Sequence, residues 1–318
     1  RLLTQAGYRW EAIPFVPITG AGVRGLLRFC LALPGALLRG IAVFRRFSPD
    51  VVLGFGGYPA FIPVLTAWLL RVPRALHEQN VQVGLANKIL SRFVQQVFSV
   101  HRAEGFWTNR EVRRLTNPVR RSISDVAPWQ APESGEPFVL LIMGGSQGAV
   151  SLNDAVLTVL PALAELPLYI IHQTGKLDYQ RVHDAYQAVT SPRNEVHEFI
   201  DDITRIYPRV HLVVCRAGAM SAAEVSSAGR PAIYVPLRIA GGHQRQNVQH
   251  LLDCGAALVE EQSEGLGERL LADIRRLIAC PGELAQMARK AKESTLAGGK
   301  TSAEQIGEAL FCLARQPK

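Results

Sequence analysis

The chain has 318 residues, enough for about two domains at roughly 100 to 200 residues each. Hydrophobic residues make up 48% and charged residues 19%, which excludes a disordered chain, a collagen and a disulfide-rich miniprotein. The net charge of +8 favours an anionic partner, which is a nucleic acid, a phosphorylated substrate or an acidic membrane surface. Because the chain begins at Arg1 rather than Met, we expect its natural start to lie upstream.

Neither the cysteines nor the histidines form a pattern typical of a metal site or a disulfide framework. The five cysteines are an odd number without C-x-x-C spacing. The eight histidines form no H-x-H or H-E-x-x-H pair. We therefore expect free thiols in a reducing compartment and no metal site.

Short β-branched strands alternate with helical patterns along most of the chain. In the first part, three strands are predicted, at 51–53, 74–76 and 97–100. In the second part, the predicted strands are at 138–143, 168–171, 196–199, 211–215, 232–235 and 257–259. Helices are predicted at 153–165, 220–227, 244–254, 268–279 and 301–313. The alternation indicates parallel sheets with right-handed crossovers, so the predicted fold class is α/β, doubly wound.

A linker separates two predicted halves. Residues 121–137 are rich in proline, serine and acidic residues and have no apolar period. We expect a first domain at 1–121, a linker at 122–137 and a second domain at 138–300. Residues 301–318 contain a terminal helix that could pack on either half, and we assign it to the first.

Two apolar stretches raise the question of a membrane. Residues 51–70 are uncharged and long enough to span a bilayer, but their glycines favour a strand, a glycine turn and a short buried helix. Residues 22–47 carry five arginines among apolar residues, and their longest uncharged run, 29–38, is too short to span. Such a stretch can lie on an anionic membrane, although a core helix with a solvated face explains the same pattern.

A glycine loop follows a strand in each half. The loop residues are Gly54, Gly56, Gly57 and Tyr58 in the first half and Gly144, Gly145, Ser146, Gln147 and Gly148 in the second. Glycine lets the backbone approach a ligand, and the N-terminus of the following helix attracts phosphate. A tight turn alone explains one such loop, but two at matching positions favour a phosphate-containing ligand in a cleft between the halves.

The motifs narrow the class of phosphate ligand. The chain has no G-x-x-x-x-G-K-[ST] sequence, which disfavours a P-loop nucleotidase. Gly54-x-Gly56 followed by Glu78 resembles the start of a dinucleotide fingerprint, so a nicotinamide oxidoreductase stays an alternative. Pro59 stands where the third glycine of that fingerprint belongs, which speaks against it.

Polar residues follow several predicted strands, at the edge of the sheet where ligands bind. Glu78 and Asn80 could act there, or Asn80 could only cap a helix. Arg120 could bind a pyrophosphate or be a solvated charge. Glu224, predicted in the first turn of its helix, could bind ribose, but its S-x-x-E spacing also fits a capping box, which the residues alone favour. The amide of Gln244 could bind sugar hydroxyls or solvate its helix.

Seven motifs occur in the order and spacing of one glycosyltransferase family. They are GFGGY at 54–58, HEQN at 77–80, NPVR at 117–120, GGSQG at 144–148, FIDD at 199–202, CRAGA at 215–219 and HQRQN at 243–247. Over essentially its whole length the chain resembles the MurG family of UDP-N-acetylglucosamine:lipid I N-acetylglucosaminyltransferases. The resemblance implies a GT-B fold with two Rossmann-like domains facing a cleft. It also implies an inverting transfer of N-acetylglucosamine (GlcNAc) to the C4 hydroxyl of the muramoyl sugar of lipid I, which forms lipid II.

The resemblance implies roles for residues of the second half. Ser146 would contact the donor phosphates with Arg120 nearby, Ile200 would line the uracil site, and Gln244 would bind GlcNAc. Glu224 would hold the ribose, which reverses the capping interpretation. The run that would wrap the nucleotide is Ala219, Met220, Ser221, Ala222, Ala223 and Glu224.

In the first half, the resemblance implies that Asn80 reaches the donor. The family begins with a strand and a G-G-T-G-G-H loop whose histidine is the favoured base, and this sequence contains neither. We therefore expect an incomplete first domain without the catalytic loop, which leaves Glu78 as the candidate base. A chain of this kind is expected to bind UDP but to transfer little GlcNAc.

The implied partners are UDP-GlcNAc, lipid I and the anionic surface of a membrane, with no catalytic metal and no cofactor. The implied location is the cytoplasmic face of the bacterial inner membrane, where the protein is peripheral, and residues 22–47 then favour membrane contact. Nucleic acid is no longer the expected partner of the positive charge. The remaining alternatives are a non-catalytic nucleotide-sugar-binding protein, a UDP-GlcNAc epimerase and the oxidoreductase.

Overall fold

The structure, a computed structural model, describes residues 4, 7–13, 22–100, 105–145, 148–189, 193–238, 243–295 and 299–315. The chain divides into two compact units. The first unit comprises Arg1–Leu115 and Glu304–Lys318, and the second comprises Thr116–Ala303. Each unit contains its own parallel sheet, and the two are described separately.

The first unit contains a four-stranded parallel sheet in the order β1-β2-β3-β4. Its strands are β1 (Val52–Gly54), β2 (Arg74–Glu78), β3 (Gln96–Ser99) and β4 (Val112–Arg114). The helices beside this sheet are α1 (Gly22–Phe47), α2 (Phe61–Leu69) and α3 (Leu85–Leu90). Residues 51–70 thus form a strand, a glycine turn and a short helix, which confirms the prediction made from their glycines. Strand β4 was not predicted.

Helix α1 packs one face on the first unit and leaves the other in solvent. Phe29, Ala36 and Phe44 are buried. Gly40 permits close contact with α2, since a Cβ at Gly40 would collide with the side chain of Thr66. By length and composition alone, residues 27–47 are apolar enough to cross a membrane, a property that core helices of soluble proteins share.

The last helix of the chain, α11 (Ser302–Ala314), covers one face of the sheet of the first unit. Ile306 and Leu313 are buried in one cluster with Phe98 and Leu115. These apolar contacts make the C-terminal residues a part of the first unit, although they follow the second unit in the sequence.

The second unit contains a six-stranded sheet in the order β10-β9-β8-β5-β6-β7, in which every pair is parallel. Its strands are β5 (Phe138–Met143), β6 (Leu168–Gln173), β7 (Asn194–His197), β8 (Leu212–Arg216), β9 (Ala232–Val235) and β10 (Ala257–Val259). Its helices are α4 (Arg121–Ser124), α5 (Val150–Ala164), α6 (Tyr179–Ala188), α7 (Ala219–Ser227), α8 (His243–Asp253), α9 (Leu266–Ile278) and α10 (Pro281–Glu293). All six strands were predicted from the sequence, and the doubly wound α/β class is confirmed.

Helices cover both faces of this sheet, so its central strands β5, β8 and β9 are buried and largely apolar. In β5, Leu140 and Ile142 face the cluster that contains α5 and α9. Val139 and Leu141 face the opposite cluster, which contains α7 and α8. Every residue of β5 is buried as a result.

The connections reverse direction between β5 and β8. Strand β5 opens the second unit, the chain then moves outward through β6 and β7, and it returns to place β8 on the other side of β5. Ligands of doubly wound sheets bind at the carboxyl ends of the strands at such a reversal. The described residues found there are 144–145 and 148–149, after β5, and 217–218, after β8.

Candidate functional site

The glycine loop after β5 turns tightly because two of its glycines have no room for a side chain. A Cβ at Gly144 would collide with the amide of Ala149. A Cβ at Gly148, whose φ is +77°, would collide with the carbonyl of Thr174. Helix α5 begins directly after this loop, and its N-cap residue makes no side-chain hydrogen bond. The helix therefore offers backbone N–H groups and a partial positive charge at the loop, as an anion site requires.

Helix α7 begins beside this loop in the same way. Its N-cap is Gly218, which makes no side-chain hydrogen bond. The capping-box interpretation of Ser221 and Glu224 is wrong, because such a box needs the serine at the N-cap and not inside the helix. Glu224 lies beyond the first turn, contrary to the prediction. The Glu224 carboxylate therefore does not cap the N-terminus of α7.

Arg120 and Glu224 form the charged part of this site. Burial raises the pKa of the half-buried Glu224 carboxyl, and the positive charge of Arg120 acts in the opposite direction. The segment that carries the exposed Arg120 is attached to α7 by Asn117, whose buried side chain donates from Nδ2 to the carbonyl of Ala219 at 3.2 Å. A cation and a carboxylate thus lie in one neighbourhood beside the open start of α7.

The remaining residues of α7 divide between the core and the surface. Ala222 is buried in the cluster beneath the helix, so it packs rather than binds. Ser221 and Ala223 are half-buried, and Met220 is exposed. The outward residues are the ones available to a nucleotide.

Two amides hold the loops that flank α7. Gln244 accepts a hydrogen bond at its Oε1 from the backbone amide of Leu237 at 2.8 Å, which fixes the segment after β9. Asn247 donates from its Nδ2 to the carbonyl of Ala217 at 3.3 Å. Gln244 is the predicted sugar-binding residue, and its side-chain oxygen is already bonded to the loop after β9.

Some predicted positions cannot be placed and others were missed. Ser146 and Gln147 lie outside the described residues. Asn117 and Gln173, which hold segments of the site, were not predicted individually. The sequence features that point to them are the first residue of the NPVR motif, for Asn117, and the polar C-terminal end of β6, for Gln173.

In the first unit, Glu78 organises the loop that follows β2. Its Oε1 accepts hydrogen bonds from Asn80, from the backbone N at 3.1 Å and from Nδ2 at 3.4 Å. Its Oε2 accepts from the amide of Gly84 at 3.2 Å and from Nδ2 of Asn87 at 2.8 Å. With both oxygens engaged and only 3% of the residue exposed, Glu78 holds the loop in place. A role as the base stays a prediction.

The glycine loop after β1 is attached to the same region. Gln79 donates from Nε2 to the carbonyl of Phe55 at 2.6 Å. Gly56 has a φ of +81°, and a Cβ on it would lie 2.7 Å from Nδ2 of Asn87, so the backbone can pass there only without a side chain. Gly54 is buried at the end of β1, and Gly57 is the N-cap of the short turn that begins at the half-buried Tyr58.

The described ranges contain no group of three or more His, Cys, Asp and Glu residues that could hold a metal ion. The candidate site on the second unit contains helix N-termini, an arginine, a carboxylate and amides. These are groups that recognise a phosphate and hydroxyls.

Comparison with known proteins defines the class. Residues 1–99 match the glycosyltransferase family 28 N-terminal domain, and residues 139–303 match its C-terminal domain. The chain is therefore a glycosyltransferase with the GT-B fold, which confirms that prediction.

Individual relatives define the family. The UDP-N-acetylglucosamine–N-acetylmuramyl-(pentapeptide) pyrophosphoryl-undecaprenol N-acetylglucosamine transferase of Anaeromyxobacter dehalogenans (strain 2CP-1) is 39% identical over 321 residues, covering 99% of this chain and 82% of the relative. The crystal structure of Acinetobacter baumannii MurG has a TM-score of 0.72 and 30% identity, covering 98% of this chain and 87% of that one. The chain belongs to the MurG family of N-acetylglucosaminyltransferases, as its motifs predicted.

A more distant neighbour shares the fold alone. The UDP-GlcNAc 2-epimerase of Neisseria meningitidis has a TM-score of 0.61 at 15% identity, covering 98% of this chain and 87% of that one. Since the family is that of a transferase, the epimerase, the oxidoreductase and the non-catalytic binding protein are not favoured.

Proposed function

We propose that the second unit binds UDP-GlcNAc as the donor for an inverting transfer of GlcNAc to the C4 hydroxyl of the muramoyl sugar of lipid I, which forms lipid II. The observation that carries the donor assignment is that the glycine loop after β5 and the start of α7 follow neighbouring strands at the reversal of the six-stranded sheet, with Arg120 and Glu224 beside α7. In this proposal the loop and Arg120 bind the diphosphate, Glu224 binds the ribose, Ile200 lines the uracil site and Gln244 faces the sugar.

The chemistry of transfer requires stabilisation of the departing UDP. Negative charge grows on the diphosphate as the bond to the sugar breaks. The N-terminus of α5 supplies backbone N–H groups and a partial positive charge, and Arg120 supplies a full charge. The carboxylate of Glu224 can accept hydrogen bonds from two neighbouring ribose hydroxyls, which fixes the nucleotide during the reaction.

Calorimetry with UDP tests the donor site. Glu224→Ala should weaken UDP binding by about 10-fold or more, because it removes the hydrogen bonds between the carboxylate and the ribose. The matched control is Glu264→Ala, which removes an exposed carboxylate elsewhere on the second unit and should leave UDP affinity unchanged. A wild-type chain that does not bind UDP, or a Glu224→Ala chain that binds as well as wild type, would overturn the assignment.

We also propose that the exposed face of α1 rests on an anionic membrane. Leu27, Leu31 and Leu38 on this face are 62%, 75% and 70% exposed. Exposed arginines flank them, at Arg24, Arg28, Arg39, Arg45 and Arg46. Apolar side chains of such a helix can enter the bilayer while arginines contact anionic headgroups. The names of the relatives include a pyrophosphoryl-undecaprenol acceptor, which is a membrane lipid, and we place the reaction at the cytoplasmic face of the inner membrane.

Vesicle sedimentation tests this surface. The wild-type chain should bind phosphatidylglycerol vesicles more strongly than phosphatidylcholine vesicles, and Leu31→Glu should bind the former weakly. The control is Leu177→Glu on the second unit, where the leucine is 94% exposed. Equal binding of both lipids by wild type, or equal loss in both variants, would show that α1 is not the membrane surface.

A further inference from the structure

Gln173 joins two segments of the donor site through its side-chain amide. It is the last residue of β6 and is only 5% exposed. Its Nε2 donates to the carbonyl of Gly145 at 3.0 Å, and its Oε1 accepts from the backbone amide of Ile200 at 3.1 Å. One side chain therefore connects the glycine loop after β5 to the segment after β7.

The position of β6 explains this bridge. Strand β6 lies between β5 and β7, so its carboxyl end is between the two segments. Its backbone takes part as well, because the amide of Gly144 donates to the carbonyl of Gln173 at 3.3 Å.

An amide side chain at residue 173 can contact both partners because it carries a donor and an acceptor. The carbonyl of Gly145 accepts from Gln173 and also from the backbone amide of Gly148 at 3.0 Å, and the amide of Ile200 donates to Gln173. A carboxylate at residue 173 could accept from Ile200 but could not donate to Gly145, and an apolar side chain could do neither. Either change removes a hydrogen bond that joins the two segments, so it favours movement of one segment relative to the other.

We propose that Gln173 is a positioning residue for donor binding, which sets the spacing between the loop that binds the diphosphate and the segment that lines the uracil site. The proposal rests on the donor site proposed above. Gln173 acts through Gly145 and Ile200. UDP contacts both segments, so its affinity depends on their spacing. Uridine lacks the diphosphate, so its affinity depends less on that spacing.

Three variants test the bridge by calorimetry with UDP and with uridine. Gln173→Met removes both hydrogen bonds and should weaken UDP by about 10-fold or more and uridine by a smaller factor. Gln173→Glu keeps the bond to Ile200, so uridine affinity should return toward the wild-type value while UDP affinity stays low. Gln180→Met, on the exposed side of α6, is the matched control and should match wild type for both ligands.

The outcomes separate positioning from general stability. Melting temperatures of all variants are measured in parallel, and a loss of stability alone would lower UDP and uridine affinity by the same factor in Gln173→Met. That result, or unchanged UDP affinity in Gln173→Met, overturns the proposal. If Gln173→Met does not fold, the ratio of UDP to uridine affinity in Gln173→Glu decides, since an unchanged ratio contradicts the bridge. If Glu224→Ala weakens UDP and Gln173→Met does not, the donor site stands and only the positioning role fails.

Discussion

His172 should make the second unit sensitive to mild acid because its folded environment holds the imidazole neutral. Its Nε2 lies 3.1 Å from Oδ1 of Asn153, and its Nδ1 lies 3.2 Å from the hydroxyl of Tyr186. The Asn153 amide is oriented by its Nδ2, which donates to Asp178 at 2.6 Å and to the carbonyl of Thr174 at 3.1 Å. Its oxygen therefore accepts from the Nε2–H of His172, and Nδ1 accepts from Tyr186.

The magnitude follows from the pKa of this histidine. Burial lowers the pKa of His172 from 6.5 to about 3, although the charge of Asp178 acts in the opposite direction. Above pH 6.5 the histidine is neutral in both states and contributes no pH dependence. Below pH 6.5 the unfolded chain takes up a proton that the folded chain does not, so stability falls by about 1.4 kcal/mol per pH unit until pH approaches 3. Between pH 6.5 and about pH 5 the loss is about 2 kcal/mol.

His172→Gln should remove this dependence because an amide does not titrate. The assay is urea unfolding at several pH values, followed by the fluorescence of Trp129 with Trp10, Trp68 and Trp107 replaced by Phe. The variant should be less stable at pH 7.5, since hydrogen-bond geometry changes, but its free energy of unfolding should fall about 2 kcal/mol less than wild type between pH 6.5 and 5. A wild-type slope in the variant would refute the reasoning.

Three further outcomes are expected. Gly148→Ala should lower both the melting temperature and the UDP affinity, because the new Cβ would collide with the carbonyl of Thr174 and because residue 148 has a φ of +77°. An unchanged melting temperature would contradict the collision. Arg230→Met should destabilise the second unit by about 3 kcal/mol in urea unfolding, since the buried guanidinium donates to two backbone carbonyls at 2.7 Å, and a change below about 1 kcal/mol would contradict this. Thiol titration should find Cys215 unreactive until unfolding, because burial raises the pKa of its thiol to about 12, while the exposed cysteines react in the native chain; five reactive native thiols would contradict it.

The sequence predicts most clearly the central strands of the second sheet, which are buried on both faces. Strand β5 reads FVLLIM, and such a run has few alternatives to a central parallel strand. Strand β4 was missed because it is a short edge strand, Val112–Arg114, whose two arginines are exposed. Helix α6 was missed because only Val182 and Tyr186 of its residues are buried, which leaves little apolar period to detect.

The sequence motifs indicate which segments form the candidate site, but they do not show which hydrogen bonds each side chain makes. The spacing of Ser221 and Glu224 fits a capping box, but spacing alone does not say where a helix begins, and the structure begins α7 after Gly218. The role of Gln173 depends on hydrogen bonds to residues 28 and 27 positions away. No local pattern carries such contacts, because they arise only when parallel strands bring their carboxyl ends together.

Neutral amides and one buried arginine hold the segments of the proposed donor site. Asn117 binds the start of α7, Gln173 binds the glycine loop and Asn247 binds the turn after β8, each through a hydrogen bond to backbone. The buried guanidinium of Arg216 joins the start of α5, through the hydroxyl of Ser151, to the carbonyl of Val235 at the end of β9. In the proposed site, Arg120 would bind phosphate and Glu224 would bind ribose within segments that these hydrogen bonds hold, and fixed polar groups stabilise a developing charge without reorganisation.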